Sequence, residues 1–321
     1  MRTRITILSI LFATLFTSCN SDVFIDNFIS EYPDTCHVES GKPYKLNFDS
    51  DNWDVLNIYS MTSMNYDIYD IEGNKKNNRL PLENGETAII SSQSTYYKFR
   101  IEKRNSKEII ISCDKNLYNS PLSFSIEVGN QYTRRTINVL LDPTNKFVID
   151  RVEYDFENDF YYSNYAVEQV DGMTVNNTDS ESPVILNFYP FKNSLRKVKF
   201  YPENYEIFKN MDKILGKELA EIPIPDIVNG KPVIQNTKAK FGLLEQSFWT
   251  GKLDKGFVVK DTINPGEIKN IEVYNNIEEF HVNYKVYASN PDTGEEFIFK
   301  GRLDSEDPFD YLMIFPKLDQ K

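Results

Sequence analysis

The chain has 321 residues, enough for two domains of ordinary size, and carries 48 acidic against 36 basic side chains. Its formal net charge of −12 repels nucleic acid and anionic lipid, which argues against both as partners bound through charge. Aromatic residues make up 14% of the chain, with 20 Tyr and 22 Phe. Because these residues favour pleated surfaces, the composition predicts an all-β protein, mainly antiparallel, and an excess of Tyr also suits a binding face.

The N-terminus has the pattern of a secretion signal. Arg2 and Arg4 precede a run of 12 residues, Ile5 to Phe16, in which only Thr and Ser interrupt the apolar side chains. A helix needs roughly 20 apolar residues to cross a bilayer, so this run is too short to be a membrane span. It is typical of the apolar region of a signal peptide, which we place at residues 1–18.

The end of this run, Leu15–Cys19 (LFTSC), resembles the lipobox of bacterial lipoproteins, with Phe16 where an aliphatic residue is usual. The resemblance implies cleavage before Cys19 and acylation of its thiol, with palmitate, so that the lipid holds the protein on a membrane. The alternative is an ordinary signal peptide followed by a chance Cys. Asp22 is similar to the export signals of surface lipoproteins, which implies exposure at the bacterial outer membrane.

Residues 19–40 are predicted to be a tether followed by a first strand, and residues 41–142 an immunoglobulin-like β-sandwich. Tyr44, Leu46 and Phe48 alternate with polar residues, as the side chains of a half-buried strand do. Roughly seven such strands in about 100 residues, separated by turn signals, favour that fold.

Two further cysteines belong to this first domain. With Cys19 acylated, Cys36 and Cys113 remain in an oxidising compartment. They either form one disulfide within the domain or stay as two free, buried thiols.

The end of the first domain has the pattern of a strand, an Asn-bearing turn, a second strand and an Arg-containing hairpin. Its residues are Ile109–Ile111, Asn116, Asn119, Ser123–Val128 and Arg134–Val139. In this order the segment resembles BACON modules, small β-sandwiches found in lipoproteins and glycan-degrading systems of gut-type bacteria. A generic sandwich fits the same strands.

A connector at Asp142–Lys146 predicts an exposed boundary to a second β-rich domain at residues 147–321. One helix is expected there, Tyr205 to Leu219, whose apolar residues recur every three or four positions. It either packs on a sheet or binds a partner. The alternating segments Phe280–Ala288 and Phe297–Gly301 predict a long antiparallel hairpin with one dry and one wet face.

Between the helix and this hairpin, Pro223 and Pro225 exclude a central strand, because proline donates no ladder hydrogen bond. Asn229-Gly230 predicts a tight turn.

The sequence contains no pattern that is typical of catalysis. His37 and His281 are the only histidines, and neither belongs to a zinc-binding pair or a nucleophile–base motif. Carboxylate pairs such as Asp155 and Glu157 occur, as they must among 48 acids. We therefore predict no enzymatic activity, no cofactor and no metal.

Four segments of the C-terminal half follow one another in an order that a known class of proteins shares. They are Asn176–Thr178, Phe248–Thr250, Asn264–Gly266 and Phe280–Arg302. This order resembles that of the pore-forming module of the aerolysin and epsilon-toxin class, which implies a segment that inserts into membranes as a barrel hairpin. Residues 203–246, at the place of that segment, instead have the pattern of a helix and a Pro-rich turn, without the required alternation.

Together these patterns predict a membrane-anchored surface lipoprotein that acts as a non-catalytic binding module for a glycan or for an envelope or host protein. The alternative is an aerolysin-like pore-forming protein. Tyr161, Tyr162 and Tyr165 are the candidate ligand-binding residues, because neighbouring side chains of an extended segment point to opposite faces and one must meet water. Trp53 and Trp249 are further candidates, although Trp in a sandwich is more typical of the core.

Overall fold

The structure, a computed structural model, describes residues 28–60, 64–76, 79–82 and 85–317. The predicted signal peptide, Cys19 and Asp22 lie outside these residues. The described residues divide into two compact units between Lys146 and Phe147. Nearly all their regular structure is β-strand, which confirms the predicted all-β fold.

The first unit is a β-sandwich. Its described strands are β1 (Thr35–Val38), β2 (Tyr44–Asn47), β3 (Asp54–Ser60), β4 (Asp67–Tyr69), β5 (Ala88–Gln93), β6 (Tyr97–Asn105), β7 (Glu108–Asn116), β8 (Leu122–Gly129) and β9 (Arg134–Leu141). One sheet has the order β1–β9–β8–β3 and the other the order β2–β7–β6–β5–β4. Only the β1–β9 pair among them is parallel. Both sheets contribute to a single apolar core.

Trp53 lies in this core and is therefore unavailable as a binding aromatic. Its ring stacks on Phe48 with centroids 3.7 Å apart, and its indole N–H donates to the Ser106 carbonyl at 2.7 Å. The Lys103 amine lies 4.7 Å from the ring centroid, in cation–π geometry. Because its N–H has a hydrogen-bond acceptor, the large indole ring is buried without the free-energy cost of an unpaired polar group.

Cys36 and Cys113 are both buried and free, so the structure has the second of the two predicted alternatives rather than the disulfide. Cys36 belongs to β1 and Cys113 to β7, in different sheets of the sandwich. The Cys36 sulfur forms a hydrogen bond with the Tyr44 hydroxyl instead. Burial raises the pKa of both thiols, that of Cys113 to about 12.

The connector after β9 is less exposed than the sequence predicts. Pro143 is exposed, but Thr144 is buried. Its backbone N–H donates to the Asn116 carbonyl at 2.8 Å, and its hydroxyl donates to the same oxygen at 3.1 Å. The Lys146 amine donates to the Leu117 carbonyl. The end of the first unit is therefore tied to the loop after β7.

The second unit contains one large sheet and two small ones. Its strands are β10 (Val148–Tyr154), β11 (Phe160–Asn176), β12 (Val184–Phe188), β13 (Arg196–Pro202), β14 (Glu221–Val228), β15 (Lys231–Lys240), β16 (Glu245–Phe248), β17 (Val259–Ile263), β18 (Ile268–Ser289) and β19 (Glu296–Ile314). The large sheet has the order β10–β18–β19–β13–β16, and β11 also pairs with β18. β12 pairs with β17, and β14 pairs with β15.

The predicted C-terminal hairpin is present as β18 and β19, which have 22 and 19 residues. Its dry face is also as predicted, since Phe280, Val282, Tyr284, Val286 and Ala288 are all buried. We call this the inner face of the large sheet. The alternate side chains, beginning with His281, Asn283 and Lys285 on β18, form the outer face.

The predicted single helix is wrong in its length. Two short helices, α1 (Tyr205–Lys209) and α2 (Met211–Leu215), occupy the segment, and the chain leaves α2 at Gly216 with a φ of 97°. The break lies at Asn210, whose side-chain amide donates to the Glu206 carbonyl at 2.8 Å and competes with the backbone ladder. The apolar stripe packs inward through Phe208, Met211 and Ile214 rather than facing a partner.

The segment after the helices forms the β14–β15 hairpin. Its turn residues Asn229 and Gly230 have φ angles of 52° and 73°, which is the tight turn that the sequence predicts. Pro223 and Pro225 lie in β14, where the two-stranded sheet has no central strand. Neither helix of the described residues has the length and apolarity that a membrane span requires.

Candidate functional site

The three candidate tyrosines do not form one patch. Tyr161 lies on the outer face opposite His281, and the two rings stack with centroids 4.9 Å apart and planes 15° from parallel. About half of Tyr161 is exposed, at 51%. It therefore offers one free ring face to a ligand.

Tyr162, unlike Tyr161, lies on the inner side of the sheet. It pairs with Phe280, and its hydroxyl lies 3.4 Å from Glu278 Oε1. Its ring lies 3.8 Å from the point where a Cβ on Gly230 would be, so the β14–β15 turn covers it. Tyr165 lies in an irregularity of the β11–β18 pairing and is 91% exposed. Tyr161 and Tyr162 thus lie on opposite faces of the sheet, and Tyr165 projects into solvent near Tyr162, whose pKa it helps to raise.

A groove of about 330 Å³ lies on the outer face. It runs across β10, β18 and β19 and reaches the residue that follows β13. Cross-strand pairing brings Glu153, Lys285 and Lys300 into one row, and Asn283 lies in the next row. The lining residues are Glu153, Tyr154, Asp155, Glu203, Asn283, Tyr284, Lys285, Lys300 and Gly301.

The carboxylates of β10 and the loop after it already have hydrogen-bond donors. Glu153 accepts from Arg151 Nε and from the Tyr287 hydroxyl, each at 2.9 Å. The bond from Arg151, followed by that from Tyr287, lowers the pKa of Glu153. Asp155 accepts from the backbone N–H and the side-chain amide of Asn158, which lowers its pKa as well. Both groups are therefore anions at neutral pH and are not suited to donate a proton.

Further aromatic side chains surround the groove. Tyr201, which is 47% exposed, lies under the Arg302 guanidinium at 4.8 Å from its ring centroid. Arg302 is held in place by Asp304, with Nε–Oδ1 and Nη2–Oδ2 distances of 2.8 and 3.2 Å. Tyr287 lies under Arg151 at 3.6 Å. The outer face therefore combines exposed aromatic rings with fixed hydrogen-bonding groups.

Trp249 and His37, the other residues considered from the sequence, each lie next to a charged side chain. Trp249 is half-buried, with the Lys255 amine 4.4 Å from its ring centroid. His37 Nδ1 lies 3.5 Å from Asp142 Oδ1. Within the part of the chain that the structure describes, no group of three His, Cys, Asp or Glu side chains is arranged to hold a metal ion.

A charge cluster with a buried ion pair at its centre fixes the β14–β15 hairpin, and no sequence pattern predicts it. Asp226 of the hairpin accepts from Arg196 Nη1 at 2.7 Å and from the Thr237 hydroxyl at 2.8 Å. The Lys252 amine lies between Asp226 and Asp307, at 3.3 and 2.7 Å. We call these five residues the hairpin cluster.

No family model and no curated protein sequence matches the chain. Among solved structures it is similar to the lamprey immune protein, at 9% identity and a TM-score of 0.34, over 85% of this chain and 97% of that one. It is also similar to an aerolysin-like protein of Bombina maxima, at 12% identity and a TM-score of 0.24, over 52% and 95% of the two chains. The parasporin-2 toxin of Bacillus thuringiensis is similar at 11% identity and a TM-score of 0.21, over 61% of this chain and 75% of that one. Likeness at this level carries no conclusion about function.

Proposed function

We propose that this protein is a non-catalytic binding module for a glycan, displayed on a bacterial outer membrane through a lipid on Cys19. The observation that carries the proposal is the polar groove on the outer face, together with the exposed side chains of Tyr161 and Tyr201 on that same face. Sugars have apolar ring faces and a rim of hydroxyl groups. They suit a site that offers aromatic rings for stacking and fixed polar groups for hydrogen bonds.

A binding role is also supported by the state of the carboxylates. Hydrolysis of a glycosidic bond needs one carboxylic acid that donates a proton and a second carboxylate. Glu153 and Asp155 have lowered pKa values and are hydrogen bonded to their own neighbours. The resemblance of the first unit to BACON modules agrees with a glycan-handling setting.

The proposal is tested by measuring binding of the purified protein to an array of mucin and capsular glycans. Tyr161→Ala and Tyr201→Ala are each expected to weaken binding by about 1 kcal/mol, roughly fivefold, because each removes one stacking surface. Tyr189→Ala is the matched control, since Tyr189 is 47% exposed in the same unit but follows β12, which belongs to a small sheet apart from the large one. Equal binding by all three well-folded variants would contradict the proposed site.

Pore formation is a second candidate, favoured by one observation. The β14–β15 hairpin has strands of 8 and 10 residues, close to the roughly 9–11 that a membrane-crossing strand needs. Its composition opposes that role. Pro223, Pro225 and Pro232 cannot donate ladder hydrogen bonds, and Asp226 would carry a charge into lipid. Release of a trapped dye from liposomes would support pore formation, whereas the binding proposal predicts none.

A further inference from the structure

Two lysines face each other in the groove, and neither amine forms a hydrogen bond or a close ion pair within the described residues. Lys285 of β18 and Lys300 of β19 are direct cross-strand partners, and both are exposed. Like charges placed directly opposite each other destabilise a sheet. Among the described residues, no side-chain hydrogen bond or ion pair engages either amine. An acidic chain has many carboxylates for such a purpose, and it pairs other lysines, such as Lys269 with Asp261.

The nearby acids attract Lys285, whose charge helps to lower the pKa of Glu153 and of Asp155, but neither carboxylate forms a close ion pair with it. Glu153 is occupied by Arg151 and Tyr287, and Asp155 by the loop that contains Asn158. Glu203 is exposed and lies beside Lys300, whose carbonyl accepts from the Glu203 backbone N–H at 2.9 Å. Because neither amine is held in a close ion pair, both can turn towards an anionic group of a ligand, and the surrounding carboxylates limit the site to one such group.

We propose that the groove selects a sugar acid, a glycan unit such as a uronic or sialic acid, whose carboxylate lies between Lys285 and Lys300. This inference rests on the proposed glycan-binding function and narrows its ligand. Two amines on adjacent strands match the two oxygens of a carboxylate, and the bound anion removes the repulsion between them. Binding thus relieves an unfavourable contact of the free protein.

The position of the aromatic residues extends the ligand beyond one sugar. Tyr161 is opposite His281, four residues along β18 from Lys285, a separation of about 13 Å along the strand. This distance exceeds the length of one sugar ring. The ligand is therefore an oligosaccharide, with its carboxylate at the lysine pair and a neighbouring ring near Tyr161.

The test compares matched probes by titration calorimetry at low ionic strength. Oligogalacturonate and sialyllactose are the acidic probes; the methyl ester of the first and lactose are their neutral counterparts. Acidic probes are expected to bind more tightly than neutral ones, and added salt is expected to reduce the difference. Lys285→Gln and Lys300→Gln should each weaken acidic-probe binding about three- to tenfold and leave neutral-probe binding unchanged.

Two controls separate recognition from folding. Lys260→Gln removes an exposed lysine on β17 and should leave affinity for the acidic probes unchanged. The variant with both Lys285→Gln and Lys300→Gln should melt at the same or a higher temperature, because it loses a like-charge contact. Lys285→Arg should retain acidic-probe binding.

The outcomes distinguish this inference from the function on which it rests. If acidic and neutral probes bind equally and the lysine variants behave like the natural protein, the sugar-acid inference is overturned while glycan binding stands. If neither kind of probe, nor any glycan on the array, binds to the folded protein, both fail together. Selective loss of acidic-probe binding in Lys285→Gln and Lys300→Gln supports both.

Discussion

Arg196 and Asp226 form an ion pair that is almost completely removed from solvent, with Nη1 and Oδ1 2.7 Å apart. Arg196 belongs to β13 of the large sheet and Asp226 to the β14–β15 hairpin. The guanidinium also donates to the Ser305 hydroxyl at 2.9 Å and to the Pro225 carbonyl. Each of the three guanidinium nitrogens thus has an acceptor, and such additional hydrogen bonds are what allow a buried charge to be tolerated.

Removing one partner of this pair should be costly. We expect Arg196→Met to lower the free energy of unfolding by about 3–5 kcal/mol, because it leaves a buried carboxylate without its main donor. Asp226→Asn should cost less than Arg196→Met, since the amide oxygen still accepts from Arg196 and Thr237. Urea denaturation measures both changes.

The double variant Arg196→Met with Asp226→Leu, compared with Arg196→Met and Asp226→Leu alone, provides the control for this prediction. The double variant should lose less stability than the sum of those two single changes, because no charge of the pair then remains without its partner. Thr237→Val removes only a hydroxyl donor and should cost about 1 kcal/mol. Additive effects of Arg196 and Asp226 substitutions would contradict a coupled pair.

The raised pKa of Glu278, which lies near the hairpin cluster, predicts that the stability of the protein depends on pH. Burial, the largest cause, raises the pKa of its carboxyl, and Asp307 raises it further, while Lys252, Tyr162 and Arg196 oppose the change. The folded state therefore binds the proton more readily than the unfolded chain, so Glu278 favours folding less as pH rises through the raised pKa. Glu278→Gln should stabilise the protein at about pH 7 but not near pH 4, where the carboxyl is protonated.

This prediction is measured by urea denaturation of the natural protein and the variant at both pH values. Glu279→Gln, the neighbouring substitution on the outer face, controls for the change in net charge. A loss of stability in Glu278→Gln at both pH values would show that the carboxylate is needed for its hydrogen bond with Tyr162 instead.

Parts of this architecture could be predicted from sequence because they depend on local pattern. The inner face of β18 follows from the period of two that places Phe280 and Val282 on one side. The helix was predicted too long because apolar spacing continues to Leu219, whereas the side chain of Asn210 ends α1 through its own hydrogen bond.

The groove could not be predicted in the same way. Glu153, Lys285 and Lys300 become neighbours only through the register of β10, β18 and β19. Register between strands that are distant in sequence depends on the whole sheet, not on any local motif. The hairpin cluster could not be predicted for a similar reason, because Asp226 and Arg196 belong to different sheets and come together only in the folded protein.

The two buried cysteines predict slow thiol chemistry. Burial is the main cause that raises the pKa of Cys36 and Cys113, so the reactive thiolate is scarce at neutral pH. In a soluble Cys19→Ala chain, both thiols should react with a thiol reagent only after denaturation. Rapid labelling of the native protein would contradict the buried state of these thiols. A mass lower by two hydrogen atoms, restored by reduction, would show a disulfide and contradict the free state.

The lipid anchor is the most direct test of where the protein acts. Cys19→Ala should abolish incorporation of labelled palmitate and release the protein from the membrane fraction, because the acyl chains on that thiol are the proposed attachment. The matched control is Cys36→Ala, which changes a thiol outside the lipobox-like segment and should leave labelling intact. Protease treatment of whole cells then tests surface display, which should be lost when Asp22→Ser removes the acidic residue behind the anchor. If the natural protein takes up no palmitate and Cys19→Ala still sediments with membranes, attachment does not use this cysteine, and the lipoprotein proposal fails while the groove and its ligand remain open to separate test.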